Sequence, residues 1–131
     1  AGETFSPRDQ FYYGRELYYH ASYDAALSIL HEFLEEGQGW LENKIEACRT
    51  MALCHRANGE AQKARLALLH SFEYDAPRAE VCCDLGELFL AEEKYEQAIF
   101  WYQLALTKQR NDTSGAFVSP DCYGYSAVRL L

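Results

Sequence analysis

The sequence predicts an all-α fold: an α-α superhelix (a helical solenoid) of about three helix–turn–helix repeats plus an incomplete final helix. Three observations carry that expectation. Apolar residues recur at helical spacing, as in Val81, Leu85, Leu88 and Phe89, and again in Tyr95, Ala98, Ile99, Tyr102 and Leu106. A slot pattern also repeats. Leu85, Gly86, Phe89, Ala98, Tyr102 and Ala105 become Met51, Ala52, His55, Ala64, Leu68 and Ser71 on moving back 34 residues. A further 38 residues back, the same slots hold Tyr13, Gly14, Leu17, Ala26, Leu30 and Phe33. Finally, small residues fill the same two slots in every unit (Gly14 with Ala26, Ala52 with Ala64, Gly86 with Ala98), so paired helices can approach closely while large neighbours interlock.

Taken in order, helices are expected at about 7–21, 23–36, 40–58, 60–73, 77–91 and 94–108. The four extra residues of the first unit fall in Glu36-Gly37-Gln38-Gly39, where two Gly make a turn that absorbs an insertion. Asn58-Gly59 is a helix stop with Gly available for a left-handed cap. Pro77 is expected to open the fifth helix, where its missing N–H costs least. Glu92-Glu93-Lys94 breaks the last pair, a loop is expected over 109–119, and Pro120 opens a final helix over 120–131. Residues 1–131 are expected to form one domain, with repeats at about 7–40, 45–78 and 79–110.

Composition narrows the function. The chain is 49% hydrophobic and 24% charged, an ordinary globular balance rather than a disordered one. Its net charge of −8 argues against a general nucleic-acid partner, because a phosphate backbone rewards clustered cations. No apolar run is long enough for a transmembrane segment and no signal peptide is evident, which points to a cytoplasmic protein. A start at Ala1 suggests an excised piece. The five Cys are irregularly spaced, a poor disulfide or zinc pattern, and are read as reduced packing residues.

No enzyme constellation emerges. Cys54 and His55 are sequence neighbours that point apart on a helix, and no orienting acid accompanies them. His31-Glu32-Phe33-Leu34-Glu35 lacks the second His of a zinc-protease helix and is read as a solvent edge. Asn111-Asp112-Thr113 is a formal glycosylation acceptor, read here as a loop. No catalytic residue, metal or cofactor is assigned. Of the ten Tyr, residues 12, 13, 23, 95 and 102 are expected to fill slots between helices, with Tyr18 and Tyr19 fitting the core less well.

The repeated slots resemble tetratricopeptide (TPR) repeats over roughly residues 7–110, with 120–131 like the start of a fourth unit. Departures are Phe33 where Ala is usual, Cys48 and Cys82 where Trp is usual, and Arg110 where Pro is common. Four stretches, Phe5–Leu17, Gly39–Lys44, Ser71–Glu80 and Ala98–Tyr102, further resemble the TPR tail of certain bacterial family 2 glycosyltransferases. That resemblance implies a tail separated from a nucleotide-sugar transferase domain. It does not imply that this chain transfers sugar, since the metal-holding Asp-x-Asp of that family is absent from residues 1–131.

First helices of such repeats line a concave, ligand-binding surface. Its expected slots are Arg8, Phe11, Arg15 and Tyr18 in the first unit, Glu46, Arg49, Leu53 and Arg56 in the second, and Glu80, Cys83, Glu87 and Leu90 in the third. Four of the twelve basic residues fall in these twelve slots, where an even spread would place about one. The expectation is a non-catalytic module that binds an acidic protein or peptide, with Arg8, Phe11, Arg15, Tyr18, Arg49, Leu53, Arg56 and Glu87 as the binding residues. The bland alternative is that these Arg pair with neighbouring carboxylates. Self-association is the alternative function: Leu130 and Leu131 end the chain in mid-pattern, leaving an apolar solenoid end to stack on a second copy.

Overall fold

The computed structural model describes residues 6–111, which form six α-helices and no strand. They are α1 (Pro7–Tyr19), α2 (Tyr23–Glu36), α3 (Leu41–Ala57), α4 (Ala61–His70), α5 (Ala79–Ala91) and α6 (Tyr95–Asn111). The all-α class holds. The expected final helix over 120–131, with Cys122, Leu130 and Leu131, lies outside the described residues.

Local chemistry sets the ends. Ser6 caps α1 by accepting from the Asp9 amide at 3.2 Å, with Pro7 at the first helical position. Gly37, at φ 69°, stops α2. α4 tightens into a single 3₁₀ turn, Ser71–Glu73, where the buried Ser71 hydroxyl donates to the Leu68 carbonyl at 2.7 Å. Pro77 does not open a helix, contrary to the expectation. Arg78 is extended (φ −94°, ψ 154°) and α5 starts at Ala79. At the other end, α6 continues through Asn111 into the stretch expected to be loop.

The repeat is written in the backbone as well. Each helix pair closes through a residue in the left-handed region: Ala21 (φ 61°), Gly59 (φ 75°) and Glu93 (φ 61°). These positions are separated by the same 38 and 34 residues as the side-chain slots. Their amides donate to the carbonyls of Tyr18, Arg56 and Leu90 at 2.9, 3.0 and 2.9 Å. The next amides, of Ser22, Glu60 and Lys94, donate to Leu17, His55 and Phe89 at 2.8, 2.8 and 2.9 Å. Such paired bonds satisfy helix-end carbonyls that would otherwise lack donors. Of the three, Gly59 alone is the residue type that a left-handed turn favours.

The chain divides into two compact units, one through Asp75 and one from Ala76. In the first, α1 packs on α2, α3 packs on α4, and α2 and α1 both touch α3. Phe11, Leu30, Phe33 and Ala47 form a buried cluster there, with Leu34 and Met51 against it. The second unit is the α5–α6 pair around Ala79, Cys82, Cys83, Ala98, Tyr102 and Ala105.

The small slots work one turn away from where the pattern paired them. A Cβ on Gly14 would lie 2.5 Å from Leu30 Cδ2, and one on Gly86 would lie 3.0–3.1 Å from the Tyr102 ring. Each glycine therefore admits the bulky residue four positions beyond the paired Ala. An alanine is favoured over glycine in a helix by about 1 kcal/mol, but overpacking costs roughly 1–3 kcal/mol. Leu30 is fully buried and has little room to yield. Gly14→Ala is thus expected to lose up to about 2 kcal/mol net in urea unfolding, with Gly86→Ala the milder of the two.

Phe33, the departure at an Ala slot, is accommodated by the insertion. A Cβ at Gly39 would collide with the Phe33 ring, so the second glycine of the turn leaves the space the ring fills. The two irregularities of the first unit compensate each other.

Candidate functional site

α1 carries alternating guanidinium and aromatic groups. Arg8 lies over the Tyr12 ring at 5.6 Å, and Arg15 lies near both the Phe11 ring (5.6 Å) and the Tyr19 ring (5.8 Å). Arg15 Nη2 also donates to the Tyr19 hydroxyl at 2.9 Å. Spacings of four residues make these pairs helix-surface neighbours. A guanidinium stacked on a ring keeps in-plane N–H groups that suit a carboxylate.

The predicted binding residues do not all belong to this face. Phe11 is 1% exposed and packs on Phe33 with ring centroids 5.7 Å apart, so it supports the stack from inside. Tyr18 is half-buried, and desolvation, then Tyr23, Cys54 and Tyr19, push its phenol up. On α3, Arg49 donates to Glu46 at 3.1 Å, as the bland reading anticipated, while Leu53 is 45% exposed and Arg56 is exposed. Arg49, Leu53 and Arg56 follow one face of α3 at steps of four and three. In the second unit, Glu87 is exposed, Glu80 and Leu90 are half-buried, and Cys83 is buried in the α5–α6 core.

Most of the tyrosines expected between helices lie elsewhere. Tyr12, Tyr13 and Tyr95 are exposed and Tyr23 is half-buried; Tyr102 alone of the five is buried. Tyr12 and Tyr19, stacking partners of the Arg, lie outside the predicted set of binding residues. The i, i+4 spacing of Arg8 to Tyr12 and Arg15 to Tyr19 is the signal that finds them.

A second feature joins residues that sequence spacing does not connect. An open hollow of about 310 Å³ lies between α2, α3 and α4. Leu34, Met51, Leu66 and Ala67 make it apolar, and each helix adds one imidazole: His31, His55 and His70. His55 Nδ1 lies 3.0 Å from Glu60 Oε1, and Lys63 donates to Glu60 Oε2 at 3.2 Å. The hydrogen bond with His55, then that with Lys63, hold the Glu60 carboxyl below the usual carboxylate range. His70 Nε2 lies 3.0 Å from the Tyr74 hydroxyl, and His31 Nε2 lies 3.7 Å from Glu35.

Among the described residues, Cys48 and Cys54 are poor nucleophiles. Cys48, Cys54, Cys82 and Cys83 are buried and form no disulfide. Burial pushes Cys48 up to about 12, and burial followed by Asp24 pushes Cys54 up to about 11, the opposite of an activated thiolate. With Cys122 replaced by Ser, Ellman-type labelling of the folded chain at pH 8 is expected to be negligible, with four thiols reacting on unfolding. Rapid labelling of Cys48 or Cys54 in the native state would contradict this burial.

Among the described residues, no three His, Cys, Asp or Glu stand close enough to hold a metal ion. No described helix is long and apolar enough to cross a membrane. No protein-family model matches the chain, and no curated protein matches it.

Proposed function

We propose that this chain is a non-catalytic interaction module whose first unit docks a carboxylate-bearing protein or peptide on the arginine-bearing faces of α1 and α3. The observation that supports this reading is the pair of stacked guanidiniums, Arg8 and Arg15, on a chain of net charge −8. Stacking holds each group in place beforehand, so less freedom is lost on binding. Raised thiols at Cys48 and Cys54 are consistent with a role in recognition rather than covalent chemistry.

A fluorescein-labelled oligoglutamate peptide, followed by anisotropy, tests the reading. Binding should fall steeply with added salt. Arg8→Glu/Arg15→Glu should weaken it at least about tenfold, and Arg49→Glu/Arg56→Glu should do likewise. Helical circular dichroism should stay unchanged in both. Equal affinity in the charge-reversed variants would sink the proposal.

The resemblance of Phe5–Leu17, Gly39–Lys44, Ser71–Glu80 and Ala98–Tyr102 to the TPR tails of bacterial family 2 glycosyltransferases suggests what the module serves: it carries a partner or acceptor to an attached transferase. A reading frame upstream of Ala1 without a nucleotide-sugar transferase domain would remove that part and leave the docking face intact. Self-association is a second reading, favoured by Leu66 and Leu69, which are 57% and 40% exposed on α4. A concentration-dependent dimer in light scattering would support it.

A further inference from the structure

We propose that the hollow between α2, α3 and α4 binds a small organic anion with a flat apolar body, of the aromatic carboxylate class. This inference is independent of the docking face on α1 and α3. The hollow's volume, about 310 Å³, lies at the lower end of small-molecule pockets and equals roughly ten water volumes at ~30 Å³ each. That is room for one ring and its substituent. Leu34, Met51 and Ala67 offer the apolar contact such a ring requires.

Hydrogen-bond donors favour the carboxylate. Lys63 and Glu35 are the one cation and the one carboxylate of the lining, and three imidazoles add ring nitrogens around them. Glu35 is mostly exposed and engaged with His31 at 3.7 Å, so it sits at the rim. Glu60 holds Lys63 through a surface i, i+3 pair, and pairs of that kind cost little to break. Lys63 is thus able to turn toward an incoming carboxylate.

The imidazoles are held and still have capacity. Glu60 accepts from Nδ1–H of His55, and Tyr74 engages Nε2 of His70, whose Nδ1–H is left to donate to a carboxylate. The three imidazoles are not placed to hold one metal ion together. They suit instead a larger occupant, met at several points of its edge.

Titration of the full chain with sodium benzoate, read on the histidine imidazole signals by NMR, tests this. Saturable shifts are expected at His31, His55 and His70, while His20, exposed just past the end of α1 and outside the hollow, stays still. Lys63→Glu, an exposed substitution that leaves the fold intact, should weaken binding about tenfold, the scale of one charged contact. Ala67→Leu should abolish it by filling the space. Benzyl alcohol, with the same ring and no charge, should bind far more weakly. Equal response to benzyl alcohol, shifts that include His20, or no saturable shift would each overturn the proposal.

Discussion

Phe33→Ala is expected to destabilise the first unit by about 3–5 kcal/mol, enough to consume much of the stability of a domain this size. Phe33 is 1% exposed and meets three parts of the unit at once: Phe11 from α1, Leu30 and Ala47 in the same cluster, and the backbone at Gly39. Its loss leaves a void bounded by a glycine that has no side chain to move in. Relaxation is therefore small, and the cavity term stays large. Phe33→Leu should cost much less, because most of the volume remains. Urea unfolding by circular dichroism measures both, and hydrogen exchange should show α1, α2 and α3 amides losing protection. A loss below about 1 kcal/mol for the alanine variant would show that the ring is not the keystone described here.

Tyr102→Ala carries the next largest effect, again about 3–5 kcal/mol, since a buried aromatic ring is removed. Tyr102 is the bulkiest of the fully buried side chains and sits against Gly86, flanked on its own helix by Ala98 and Ala105. The second unit has only two described helices to bury it, so few neighbours can shift into the gap. Tyr102→Phe keeps the ring, and its effect reports the hydroxyl alone. Exchange of the α5 and α6 amides is expected to approach unprotected rates in the alanine variant while the phenylalanine variant retains protection. Unchanged exchange in α5 and α6 would contradict the packing at Gly86.

The helix-pair map was legible because both its signals are local: apolar periodicity within helices and small residues at fixed slots. Ends departed from the reading where backbone and side-chain chemistry competed. Pro77 suggested a helix start, but extended Arg78 defers it to Ala79. Ser71 bonds its own chain at Leu68 and draws the end of α4 into a 3₁₀ turn. The break at Glu92-Glu93-Lys94 was legible, but no glycine marks the left-handed geometry at Ala21 or Glu93.

The candidate site was half legible. Periodicity placed Arg8 and Arg15 on a surface, but it could not say which of the aromatic residues on α1 turns inward. Phe11 does, because it finds Phe33, and Tyr12 stays out under Arg8. The hollow was illegible for a different reason. His31, His55 and His70 lie on three helices, so only the packing of α2 and α4 about α3 brings them together.

The joints between paired helices have a consequence for how this chain can vary. Main-chain donors close all three, joined at the second by the His55–Glu60 side-chain bond, so torsional tolerance bears on which residue suits each hinge. Ala21 and Glu93 hold a geometry that disfavours side-chain-bearing residues by roughly 1–2 kcal/mol apiece. The molecule therefore stands below the thermal ceiling its own architecture permits, with untapped headroom at two hinges where glycine would relieve the torsion.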